Sequence, residues 1–244
     1  MDQHHAPRPR LPFEGPLLTG VLLRRYKRFL ADVRLDDGAE LTVHCANPGR
    51  MTTCSTPGSP VWLAPSGGRL SHRLEVVIEG GVPVGVNPLR ANKVVERALR
   101  ARALPPFAGL GLVRREANIP SGAGRADFLL QEPASAGGRP VWLEVKSVTL
   151  VEHGVARFPD AVSERARRHL MALAERVAAG ERAALLFLVQ RGDARRVIPA
   201  ADVDLEYAEA FATARAAGVE TYAFATDISP AGLAAARALP VDVV

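Results

Sequence analysis

From residue 17 to residue 86 short apolar runs alternate with turn residues, and no helical periodicity appears. The runs 17–23, 29–35, 41–45, 61–64, 74–78 and 82–86 read as strands. Asp36-Asp37-Gly38 between the second and third is a hairpin turn, where glycine supplies the positive φ such turns need. After Asn87 the pattern changes. Leu89, Asn92, Val95, Glu96 and Leu99 recur with helical spacing from Pro88 to about residue 103, and Pro105-Pro106 ends the helix. Strands at 110–116, 126–130 and 142–147 follow, with a turn at 120–124 and a loop rich in Gly, Pro, Ala and Ser at 131–140. Then come a helix at 163–179 with Leu170, Leu173 and Val177 as its buried stripe, and an apolar strand at 182–189. A helix at 203–217, a strand at 221–225 and a short helix at 230–238 complete the chain.

This order predicts an α+β protein. Residues 1–12 are expected as a flexible tail and 13–86 as a small closed barrel, with an OB-like barrel the leading candidate. Residues 87–244 read as an α/β sandwich with three antiparallel strands first and a parallel strand added through a helical crossover.

Two runs in the second half carry chemistry. In Trp142-Leu143-Glu144-Val145-Lys146-Ser147, strand alternation puts Glu144 and Lys146 on one face and Leu143 and Val145 on the other. Asp127 opens the neighbouring run Ala126 to Leu130. If the two runs pair, both carboxylates converge beside an ammonium, a set suited to Mg²⁺ or Mn²⁺ and to holding a water. On an exposed sheet the same residues would be a solvated charge pair of little value. The apolar context favours strands inside a core, where charges are costly unless paired or metal-bound.

Composition narrows the setting. The 244 residues carry a formal net charge of +5 and a sequence pI of about 9.7, compatible with a polyanion partner. No apolar run reaches the roughly 20 residues a membrane helix needs, and Met1-Asp2-Gln3-His4-His5 does not open a signal peptide, so a cytoplasmic protein without a membrane partner is expected. Cys45 and Cys54 are too few for a disulfide framework, and with His44 they lack a fourth zinc ligand. Positive and negative residues are balanced in both halves, so a nucleic-acid surface must come from local clusters.

The densest cluster is Arg24-Arg25-Tyr26-Lys27-Arg28-Phe29. Its cations suit phosphates and its rings suit stacked bases, although the rings could equally pack inward and leave the cations solvated. His44-Cys45-Ala46-Asn47-Pro48-Gly49-Arg50-Met51 reads either as a rigid corner capped by Asn47 or as a ligand loop presenting His44, Asn47 and Arg50. Arg165, Arg168 and His169 share a helical turn, either as a solvated face or offered to a phosphate.

The helix-strand-strand-strand-helix-strand order, with Asp127 on the second strand and Glu144-Val145-Lys146 on the third, resembles the PD-(D/E)XK nucleases. Arg25-Tyr26-Lys27-Arg28-Phe29-Leu30-Ala31-Asp32-Val33, the His44–Met51 loop, Glu144 to Leu150 and Phe158-Pro159-Asp160-Ala161-Val162-Ser163-Glu164-Arg165 resemble the sugar fermentation stimulation protein A (SfsA) family. The chain departs at Ala46, where that family often has Pro, and at Pro48, where it often has Thr. The resemblances imply an OB-like barrel followed by a nuclease-like domain. They also imply a DNA partner bound without sequence specificity, with RNA left open, and a link to sugar metabolism, notably maltose. By the same resemblance Asp127 and Glu144 bind Mg²⁺ or Mn²⁺ with the Val145 carbonyl as a further ligand, and Lys146 assists the attacking water. Glu96 on the first helix is the favoured additional acid, with Glu116 its competitor, although Glu96 could equally form a surface pair with Arg100. Arg24, Arg25, Tyr26, Lys27, Arg28, Arg50, Arg165 and Arg168 are the expected nucleic-acid contacts. The alternatives are a non-catalytic DNA-binding regulator of sugar metabolism genes and a sugar or nucleotide site in the barrel.

Overall fold

The structure, a computed structural model, describes residues 8–120 and 124–243. Parts of the expected tail (1–7) and of the turn at 120–124 (121–123) lie outside the described residues.

Six strands come first: β1 (Leu18–Tyr26), β2 (Leu30–Leu35), β3 (Glu40–Cys45), β4 (Pro60–Pro65), β5 (His72–Glu79) and β6 (Val82–Gly85). β1 pairs with β2 and β4, β2 with β3, β4 with β5, and a parallel pairing of β3 with β5 closes the ring. The result is a closed OB-like barrel. Inward residues such as Leu22, Val33, Val43, Leu63 and Leu74 are buried, as alternation requires. Cys45 and Cys54 are free thiols inside this core.

α1 (Leu89–Arg100) leads to a second domain built from β7 (Gly111–Asn118), β8 (Arg125–Gln131), β9 (Pro140–Val148), β10 (Val151–Glu152), β11 (Val155–Phe158), α2 (Glu164–Ala178), β12 (Arg182–Val189), β13 (Arg196–Pro199), α3 (Leu205–Ala216), β14 (Glu220–Ser229) and β15 (Gly232–Leu239). Its main sheet has the order β15-β14-β12-β9-β8-β7. β7, β8 and β9 are antiparallel, and β12 joins β9 in parallel after the α2 crossover, as the pattern predicts. α2 and α3 cover one face of the sheet and α1 the other. Ser163 caps α2 by accepting from the Ala166 amide at 3.2 Å, which fixes where that helix starts.

Two expectations need correction, and one small sheet was not foreseen. The stretch expected as a helix at 230–238 is strand β15, hairpinned onto β14 with Ser229 opposite Gly232. Its alanines favour a helix locally, but Leu233 and Ala234 become fully buried against the sheet, and tertiary pairing outweighs a preference of about 0.7 kcal/mol per residue or less. The small sheet of β10, β11 and β13 lacks clear alternation and is absent from the sequence reading. Finally, the segment expected as a tail to residue 12 is anchored from Arg10. Arg10 pairs with Asp227 at 2.5 Å, and Leu11 exchanges backbone hydrogen bonds with Leu233 at 2.7 and 2.9 Å.

The barrel and the second domain are joined by a buried ion network. Glu75 on β5, with no exposed side-chain surface, meets Arg90 of α1 at 2.5 Å and Arg73 at 2.7 Å, and accepts from Asn87 at 3.2 Å. Arg90 also lies over the Phe13 ring, 4.9 Å from its centroid.

Candidate active site

β8 and β9 are paired from Gln131↔Pro140 to Phe128↔Leu143 and then part. At the fork the Asp127 side chain takes the place of a strand partner: its Oδ2 accepts the Val145 N–H at 2.7 Å. The N–H and C=O of a residue in an extended strand point to the same edge, so the Val145 carbonyl faces this fork as well. Asn92 of α1 donates to Asp127 Oδ1 at 2.6 Å. Asp127 is thus held from the α1 side.

Glu144 is held from the opposite side. Its Oε1 lies 2.6 Å from Lys146 Nζ and 2.5 Å from His169 Nδ1 on α2. Glu144 and His169 are only 4% and 5% exposed, so this carboxylate is almost wholly desolvated. The two acids are brought together by the parting of the strands, with Asp127 bonded to the backbone of the residue next to Glu144.

The electrostatics distinguish the pair. Burial, and then the negative charge of Glu144, push the Asp127 carboxyl up to about 6. Burial would also raise Glu144, but Lys146 and then His169 more than offset it and the carboxyl is lowered. Asp127 is therefore the first of the two to take a proton. Among the described residues no three His, Cys, Asp or Glu side chains converge as a metal-binding group. The protein ligands on offer are two carboxylates and one backbone carbonyl.

Neither expected third acid reaches the pair. Glu96 lies one turn beyond Asn92, and its carboxylate is held by Arg100 at 2.8 Å and Arg115 at 3.0 Å. Glu116, with φ 48°, pairs loosely with Arg125 at 3.7 Å and is half exposed. Asn92, to which the sequence reading gave no role at the site, makes the contact from α1; His169, read as solvated or offered to a phosphate, instead holds Glu144 from α2. His169 lay in view within the 163–179 helix, where its place one residue before the buried Leu170 was the available signal.

A cleft of about 340 Å³ opens beside Lys146. Asn47, Pro48 and Gly49 of the barrel form one wall, and Ser147, Asp160 and Arg165 of the second domain line the rest. Asn47 Oδ1 accepts the Gly49 amide at 2.8 Å, so the capped-corner reading of this loop holds. The cleft adds that the same corner faces the charged cluster.

The expected nucleic-acid residues divide by their surroundings. Arg24 is bonded to Asp32 at 2.7 Å and lies over the Tyr26 ring, while the Tyr26 hydroxyl also bonds Asp32. Arg25 is a clamp: its guanidinium donates to the carbonyls of Arg28, Asn47 and Gly49 at 2.8, 2.8 and 2.9 Å. Lys27, Arg28, Arg50 and Arg165 are exposed cations without a salt-bridge partner among the described residues. Arg168 is exposed and 3.8 Å from Glu164.

The profile of the sugar fermentation stimulation protein RE domain (SfsA) matches residues 89–232, and that of the SfsA N-terminal OB domain matches residues 23–86. The chain belongs to the sugar fermentation stimulation protein family. It is 47% identical to the sugar fermentation stimulation protein homolog of Alkalilimnicola ehrlichii, over 94% of this chain and 98% of that protein. It is 48% identical to the homolog of Halorhodospira halophila, over 95% and 98%. The structure of Pyrococcus furiosus SfsA in complex with Ca²⁺ is similar along 96% of this chain and 99% of that one, with TM-score 0.85 and 26% identity. No helix among the described residues is long and apolar enough to cross a membrane.

Proposed function

We propose that this SfsA family member binds DNA and cleaves phosphodiester bonds at the β8/β9 fork with a bound Mg²⁺ or Mn²⁺. The observation that carries this reading is the placement of Asp127 against the Val145 amide with the Lys146-Glu144-His169 cluster beside it. Two carboxylates and a carbonyl suit a hard cation that keeps several waters and takes its remaining ligands from substrate phosphate. The SfsA relative described with Ca²⁺ supports the same class of ion. When bound, the cation would polarise the phosphoryl group and stabilise charge on the leaving oxygen.

The chain's own residues have separate tasks. Asn92 and the Val145 amide aim the Asp127 carboxylate. His169 fixes Glu144 from α2, so that Lys146, which borders the cleft, can hold a water toward an incoming phosphate. Arg165 lines the same cleft and offers a contact to the backbone of the strand.

A second reading keeps the DNA partner and drops the chemistry: a DNA-binding regulator of sugar metabolism genes. Lys146 and His169 already pair with one Glu144 oxygen, so this buried acid is satisfied without a cation, and that favours it. Incubation of single- and double-stranded DNA and RNA with and without Mg²⁺ or Mn²⁺ separates the two. The nuclease reading expects metal-dependent product from wild type and none from Asp127→Ala or Lys146→Ala, with binding retained. Gel shifts without product under any metal would leave the regulator.

A further inference from the structure

Past the fork one edge of β9 has no neighbouring strand. In the parallel pairing of β9 with β12 alternate residues turn their backbone toward β12, and the Gln190 N–H donating to the Val148 carbonyl at 2.8 Å fixes which they are. Val145 and Ser147 therefore face the opposite edge, where β8 pairs no further than Leu143. Two side chains fill part of the gap. Asp127 accepts the Val145 N–H at 2.7 Å, and the Thr53 hydroxyl from the barrel bonds the Thr149 carbonyl and the Val151 N–H, each at 3.4 Å. Between them the Ser147 N–H has no acceptor among the described residues.

The Ser147 side chain also has a hydrogen to give. Gln190, with no exposed surface, presents its Nε2 to the Ser147 Oγ at 3.1 Å and to the Asn87 carbonyl at 3.4 Å. A carbonyl can only accept, so the amide nitrogen is the atom that lies there, and Ser147 receives one hydrogen and keeps its own. The Gln190 Oε1 meanwhile is buried with no donor among the described residues, a cost that an apolar side chain would not carry. The Ser147 hydrogen is left to turn into the cleft of about 340 Å³, which Ser147 lines with Lys146 and Arg165. Arg157, on the same wall, is spent on Glu152 and Asp202, and the Asp160 carboxylate is directed at Gly49.

We infer that Ser147 holds the phosphate next to the one being cleaved, through its N–H and its hydroxyl, and that Gln190 is the positioning residue that aims the hydroxyl. The inference deepens the phosphodiester-cleaving reading and rests on it. A phosphate has several acceptor oxygens, so two donors from one residue and the Arg165 guanidinium in the same cleft suit it. Contacts of this kind set the register of a strand without reading its bases. The spacing agrees. Val145, whose carbonyl faces the fork, and Ser147 are two residues apart on one edge, about 6.6 to 6.8 Å, close to the distance between successive phosphates of one strand. With one phosphate at the fork, the next falls at Ser147. The substrate is thereby oriented before the chemistry begins.

The test is isothermal titration of the full chain, in Ca²⁺, with thymidine 3′,5′-bisphosphate and with thymidine 5′-monophosphate. Neither ligand holds a phosphodiester bond, so cleavage does not intrude. The inference expects wild type to bind the bisphosphate at least about 30-fold tighter, and Ser147→Ala to cut that advantage about ten-fold while the affinity for the monophosphate stays unchanged. Ser147→Thr, which keeps the hydroxyl, should retain the advantage, and Gln190→Leu should lose it about as far as Ser147→Ala does. A merely structural defect would weaken both ligands alike. No advantage for the bisphosphate in wild type, or an equal advantage in Ser147→Ala, would overturn the inference. Whether DNA is cleaved at all is judged separately by Asp127→Ala and Lys146→Ala, so the two failures are told apart.

Discussion

His169 Nδ1 and Lys146 Nζ converge on the same oxygen of Glu144, at 2.5 and 2.6 Å, one from α2 and one from within β9. Two donors on one carboxylate oxygen fix the rotation of the carboxylate and leave its second oxygen to face other groups. His169→Ala removes one donor from a desolvated acid, which costs about 1 to 3 kcal/mol of stability. It should also reduce metal affinity by about 10- to 100-fold, the usual effect of losing a group that orients a ligand. His169→Gln, whose amide can still donate, should recover part of both. Thermal unfolding with increasing Mn²⁺ measures the two effects together; unaltered metal response in His169→Ala would refute the positioning role.

The parts of this site that lie on strands were legible in the sequence, and those that lie on helices were not. Strand alternation alone ties Glu144 to Lys146 and places Asp127 on the neighbouring run, although the acids approach through a fork and not across a regular pair. A helix has no such fixed face, because its rotation depends on what it packs against. The helical spacing set Leu89 in one row with Asn92, Val95, Glu96 and Leu99, whereas Leu89 is 68% exposed and Arg90 is buried on Glu75. That rotation brings Asn92 onto Asp127 and turns Glu96 toward Arg100 and Arg115. The barrel was readable from its turns, while β15 was hidden by an alanine-rich composition that only the sheet beside it explains.

Asp127 ties stability to pH. Its carboxyl sits at about 6 in the fold, through burial first and the Glu144 charge second, and an unfolded aspartate ionises at about 3.9. The folded pKa is the higher one, so the unfolded state releases its proton first as pH rises. Metal-free stability should therefore fall between about pH 4 and pH 7, by about 3 kcal/mol at most. Asp127→Asn should escape this loss. Its oxygen can still accept the Val145 amide, and Asn92 can flip its own amide to present an oxygen to the new nitrogen. In EDTA at neutral pH the variant should melt above wild type. With Mn²⁺ the order should reverse, because only wild type gains from the cation. Parallel melting profiles for the two proteins across pH would count against the buried, charged pair.

Arg25 tests the division between contact and clamp. It was expected on a nucleic acid, yet its guanidinium is directed at three carbonyls that tie the β1-β2 turn to the Asn47–Gly49 corner. Arg25→Lys keeps the charge and loses the planar fork, so it should cost about 2 to 3 kcal/mol of stability. Arg28→Ala, at an exposed cation, should instead leave Tm unchanged and lower the salt dependence of binding. Chemical denaturation and anisotropy on the two variants distinguish the roles. A normal Tm in Arg25→Lys with a reduced salt slope would return Arg25 to the phosphate contacts.

Gly49 and Asp160 control how closely the barrel approaches the second domain. Gly49 does not occupy the left-handed region, so its backbone conformation would tolerate alanine. Space is what forbids it: a Cβ added there would run into the Asp160 carboxylate, across the cleft that ends at Lys146. Gly49→Ala should destabilise the protein by about 1 to 3 kcal/mol, as overpacking does. It should also slow any cleavage, because it shifts the corner relative to the fork. Asp160→Ala alone vacates the contact, and the double variant should recover most of the stability lost in Gly49→Ala. Residues in direct contact couple by about 0.5 to 3 kcal/mol in such a cycle, whereas independent sites add. A double variant as unstable as the sum of the single ones would mean that Asp160 does not set the space at Gly49.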